Sequence, residues 1–175
     1  TRPPRLPDNS PILPPGARMS ALPRLAAALL ALALPLSAAA AGPDRAVARM
    51  LDQLGHAYEV DEDGDFRLVL GLEDERSQVV IVRSPVETFG SLRVREVWSP
   101  AWSAAGAFPV AVANRLLEAS AGQKLGGWVR QGDYAVLVIQ LPADAGAQAL
   151  DDVIAYAAAA ADLMELELGD GSDDY

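Results

Sequence analysis

Asp61, Asp63 and Asp65 stand at alternate positions in Asp61-Glu62-Asp63-Gly64-Asp65, a spacing at which carboxylates can surround a calcium ion. The EF-hand pattern wants a glycine after the third acidic ligand and a glutamate at the twelfth position. Here Gly64 precedes Asp65, and Leu72 occupies the twelfth place. The stretch reads as an acidic hairpin turn, and no metal site is expected. His56 is the only histidine and cysteine is absent, so zinc ligation, thiol catalysis, disulfides and a lipid-bearing cysteine all lack their residues. His56 follows the helix-stop Gly55, where an imidazole bonds a terminal carbonyl or faces solvent. Asp151 and Asp152 fall in the first turn of a helix, where negative charge offsets the dipole. Ser99 and Ser103 lack the setting of a nucleophile elbow. These residues form no catalytic constellation, and neither enzymatic activity nor a cofactor is expected.

Two other groups could bind a partner. Arg93 and Arg95, with Arg83 and Arg67, are expected on the sheet face opposite the core. There they would hold a carboxylate-bearing peptide, or serve as a solvated face paired with Glu59, Glu87 or Glu96. Trp98 and Trp102 flank Pro100, and Trp128 belongs to a later strand. Together they would clamp an extended peptide, or cap the end of the core with each indole bonded at its polar edge.

The elements that must position these residues follow from periodicity. Asp44 can cap a helix whose stripe is Ala46, Val47, Met50, Leu51 and Leu54, stopped by Gly55. Residues 58–60 and the alternating Phe66, Leu68, Leu70 and Leu72 make a hairpin closed at Asp63-Gly64. A third strand covers residues 79–82 and ends at Pro85. A fourth covers 91–98, with Leu92 and Val94 facing one way and Arg93 and Arg95 the other. Residues 100–106 read as a loop. Pro109 opens a second helix over 110–120, closed by Gly122. Residues 124–130 and 134–141 form a hairpin, in which the apolar run 135–139 reads as the buried central strand. In the last helix, from about Ala147, Leu150, Ile154, Ala157, Ala161, Met164 and Leu168 recur at four- and three-residue steps. That stripe suits the core or a homodimer seam. The fold class is therefore α+β, an antiparallel sheet of meander plus hairpin with three helices.

Residues 1–18 hold six prolines and are expected to be disordered and upstream of a true start at Met19. Arg24, the apolar residues 25–36 and the small residues 37–41 have the layout of a secretory signal peptide cleaved near Ala39 to Ala41. Residues 25–41 are too short for a spanning helix and Pro35 interrupts them, so no membrane association is expected after cleavage. Residues 43–168 make one domain and 169–175 an acidic tail. Setting aside the four arginines and one aspartate of residues 1–42, the 14 basic and 24 acidic side chains become 10 and 23, a charge of −13. Such acidity repels nucleic acid and anionic lipid.

The run Val112-Ala113-Asn114-Arg115-Leu116-Leu117, then Gly122-Gln123-Lys124, Gly132-Asp133-Tyr134 and Leu141-Pro142, is followed by Leu150-Asp151-Asp152-Val153-Ile154. In this order and spacing the chain resembles the YbjN-domain family, whose fold is similar to type III secretion chaperones. The resemblance covers roughly residues 44–168. It implies a compact, non-enzymatic α+β domain that binds or regulates another protein. The chain departs from the pattern at Leu117-Glu118, and its export signal departs from a cytoplasmic secretion chaperone. The expected function is an exported, periplasmic or secreted protein-binding module. A structural or stress-related envelope protein, and a carboxylate-dependent hydrolase, are the alternatives.

Overall fold

A computed structural model describes residues 42–169; the expectations for residues 1–41 and 170–175 lie outside it. The described chain runs α1 (Arg45–Leu54), β1 (Glu59–Val60), β2 (Phe66–Gly71), β3 (Ser77–Phe89), β4 (Leu92–Ser103), α2 (Val110–Gly122), β5 (Gly126–Gln131), β6 (Tyr134–Pro142) and α3 (Ala147–Leu168). The six strands form one antiparallel sheet in the order β1-β2-β3-β4-β6-β5. The protein is α+β.

Local chemistry explains the boundaries. The Asp44 side chain accepts the Ala46 N–H at 2.7 Å, and Gly55 closes α1 at φ 78°, a left-handed conformation that costs glycine little. In the β1–β2 turn the Asp61 carboxylate accepts the backbone N–H groups of Asp63 and Asp65, at 3.0 and 2.9 Å. The acidic turn is thus an internally bonded loop.

Alternation along the strands divides the sheet into two faces. Phe66, Leu68, Val80, Val82, Val97, Leu137 and Ile139 point to one side and meet Leu150, Ile154, Ala157 and Ala161 of α3 in the core. α3 lies over β3, β4 and β6, α1 packs on α3, and α2 packs on β5. The last helix therefore spends its regular apolar stripe inside this fold, and the residues proposed for a dimer seam are core residues. Among the described residues no helix covers the opposite face.

Two strands run further than proline suggests. β3 continues past Pro85 to Phe89 and β4 passes through Pro100 to Ser103. In both cases the pairing register shifts beside the proline, between Val82 and Val86 and between Pro100 and Trp102. A bulge lets a strand absorb a residue that cannot donate to the ladder. The Pro100 carbonyl is recovered by Gln78, whose Nε2 donates to it at 2.5 Å and to Ser99 Oγ at 3.1 Å.

Candidate functional site

The uncovered face carries a groove of about 400 Å³. Arg67 of β2 stands at one side, Val79 and Ile81 of β3 and Trp98 and Pro100 of β4 form its middle, and Tyr134 and Val136 of β6 with Gln131 of β5 close the other. Val79 and Val136, on this face, are buried.

Trp98 is fixed from two directions. The Arg83 guanidinium sits 4.3 Å from its ring centroid, within range of cation–π attraction. Its Nε1 donates to Glu96 Oε2 at 2.9 Å. Arg83 is itself held, with Nε 3.0 Å from the Asp65 carboxylate. Asp65 is almost fully buried and accepts the Ser84 N–H at 2.6 Å. Burial raises its pKa above the usual 3.8, and the Ser84 N–H and the Arg83 charge offset that only in part. Arg67, by contrast, makes no ion pair among the described residues. Glu59 stands opposite it in the β1–β2 register, beyond ion-pair distance.

The expected tryptophan cluster is divided between the faces. Trp98 belongs to the uncovered side. Trp102 pairs with Ala135 on the helix side and meets Phe108 edge-on, with ring centroids 5.1 Å apart. Trp128 pairs with Leu137, also on the helix side, and is buried in the core. Its indole N–H has no acceptor among the described residues, against the expectation that each indole would be bonded.

The arginines divide too. Arg83 and Arg67 are on the uncovered face, as expected. Arg95 is buried on the helix side, bonded to Asp44 and to the carbonyls of Arg83 and Ser84. Arg93 lines a separate depression with Leu92, Lys124 and Leu125 near the end of the β3–β4 hairpin. A shared four-arginine face does not form.

The remaining candidates have structural partners. His56 Nε2 lies 2.7 Å from Asp151 Oδ1, which ties the end of α1 to the start of α3; the sequence reading assigned these two residues separate roles. Ser99 is fully buried and its Oγ donates to the Val79 carbonyl at 2.7 Å. The buried Glu165 is paired with Arg76 at 3.0 Å, and Asp162 bonds the same guanidinium at 2.6 Å. Among the described residues no three acidic or histidine side chains are placed to hold a metal ion, and no helix is long and apolar enough to cross a membrane.

Of the groove residues, Trp98 was legible as an aromatic binding candidate, and Arg67 as one member of the expected carboxylate-holding arginine face. Val79, Ile81, Pro100, Tyr134 and Val136 were missed, because apolar residues at period two look alike on either face of a strand. The chain matches no family model, no curated protein and no solved structure.

Proposed function

We propose that residues 43–168 form a non-catalytic module that holds an extended polypeptide on the uncovered face of its sheet. In this reading it is an exported, YbjN-like protein of chaperone or regulatory type, acting in the periplasm or outside the cell. The observation that carries it is the groove around Trp98. It is an apolar depression about 400 Å³ in volume on the side away from the helices, with an aromatic anchor held by Arg83 and Glu96. Aromatic anchors of this kind dominate protein–protein contacts. The groove is open along the sheet, which suits a chain segment that keeps one side in water; a drug-sized ligand is normally enclosed over most of its surface. Export rests on Arg24, the apolar residues 25–36 and the small residues before Gly42.

Fluorescence anisotropy with a labelled peptide of leucine, phenylalanine and serine tests the binding. Trp98→Ala should weaken the complex by about tenfold or more while leaving the circular dichroism unchanged. Equal affinity of both proteins, or no binding to either, would overturn the reading. Mass spectrometry of the exported protein tests the leader, with an N-terminus at residues 40–42 expected.

A further inference from the structure

We propose that Arg67 reads a carboxylate on the bound segment, so that the partner is a short apolar stretch with an aspartate or glutamate at one end. This rests on the polypeptide-binding reading above. The other three arginines expected on the face are placed elsewhere or committed: Arg83 to Asp65 and the Trp98 ring, Arg95 to Asp44 on the helix side, and Arg93 in the separate depression. Arg67 lines the groove and makes no ion pair among the described residues.

A guanidinium at the rim of an apolar groove is suited to a carboxylate, which it can grip through two parallel hydrogen bonds. The surrounding chain strengthens the point. With 23 acidic side chains against 10 basic ones beyond residue 42, intramolecular carboxylates are plentiful, yet none reaches Arg67 in the described fold. The occupant supplies the missing charge.

The groove also sets the length and direction of the segment. It crosses from β2 through β3 and β4 to β6, three strand spacings of roughly 4.8 Å, or about 15 Å. Four to five extended residues at about 3.3 Å each span that distance. Their acidic end lies over β2 beside Arg67, and their apolar side chains lie against Ile81, Trp98 and Val136. An anionic lipid surface shares the same chemistry, but the chain's net negative charge opposes it.

The test uses two acetylated, C-terminally labelled hexapeptides of sequence glutamate-leucine-phenylalanine-leucine-valine-serine and its glutamine analogue. The wild-type chain should bind the glutamate peptide about tenfold more tightly, and added salt should erode the preference. Arg67→Gln should bind both peptides alike, at the weaker level, with an unchanged thermal midpoint. Trp98→Ala should weaken both. If Arg67→Gln keeps the preference, or the wild type shows none, the carboxylate inference is overturned; weakening of both peptides by Trp98→Ala would then leave the polypeptide reading standing. If neither peptide binds, both fail. Binding to phosphatidylglycerol vesicles that depends on Arg67 and excludes the peptides would also overturn the proposal, in favour of a membrane partner.

Discussion

Arg95 Nη2 lies 2.5 Å from Asp44 Oδ2, so a buried guanidinium in the middle of the sheet holds the carboxylate that caps α1. The same guanidinium donates through Nη1 to the carbonyls of Arg83 and Ser84, at 2.7 and 2.9 Å, where the β3 bulge leaves the ladder. One side chain thus satisfies a bulge and a helix terminus at once. Arg95→Met keeps much of the volume but strands three acceptors. It should cost about 3 kcal/mol, since removing one partner of a buried ion pair leaves the other uncompensated. Urea unfolding should show a lower midpoint with an unchanged slope. A loss under about 1 kcal/mol would mean that water replaces the guanidinium.

Arg95 also marks where the sequence could be read and where it could not. Helices, the meander and hairpin pairings and the turn at Gly64 follow from local patterns, and the fold shows them near the expected places, whereas the pairing of β4 with β6 that joins the two groups has no local signal. Alternation correctly put Leu92 and Val94 on one side of β4 and Arg93 and Arg95 on the other. It could not say which side was the core. The deciding residues are Val97 and Ala101, which share the parity of Arg95 and are buried, whereas Leu92 is exposed near the hairpin tip. The prolines misled for a related reason. Their effect on a strand depends on whether a bulge is available, and a bulge is set by the partner strand.

Acid should separate two carboxylates of this network. Burial alone would raise the Asp44 pKa, but the Ala46 N–H and Arg95 outweigh it, and the result lies below the usual 3.8. A lowered native pKa contributes stability that is present above 3.8 and is lost as pH falls through the native value. Asp65 is shifted upward, so its protonation favours the fold as pH falls through the raised value. Compared at stepwise lower pH, the wild type should lose its advantage over Asp44→Asn and gain on Asp65→Asn. Parallel curves for all three proteins would contradict both shifts.

Gly126 should be irreplaceable for reasons of space. A Cβ built there falls 1.9 Å from the Val138 carbonyl oxygen, a backbone atom that cannot move without breaking the β5–β6 pairing. Gly126→Ala should cost about 3 kcal/mol or more and expose the amides of β5 to hydrogen exchange. Gly71→Ala, where a Cβ meets nothing within 4 Å, is the control and should stay within about 0.5 kcal/mol of wild type. Equal effects at the two positions would show that β5 can shift to make room.

Ser120 guards the edge of the sheet. Its Oγ donates to the Leu116 carbonyl at 2.9 Å and accepts the Trp128 N–H at 2.8 Å, so the last turns of α2 occupy a backbone donor on the edge strand β5. An unpaired edge donor is a template for another strand, and proteins commonly cover such donors. Ser120→Ala removes the acceptor and should cost about 1 kcal/mol, while the Trp128 amide loses its protection in hydrogen exchange. With that donor free, β5 should pair with β5 of a second copy. Light scattering should then show a mass that rises with concentration in the variant more steeply than in the wild type. Continued protection of the Trp128 amide in Ser120→Ala would mean that burial under α2 shields the edge, and no rise in association would follow.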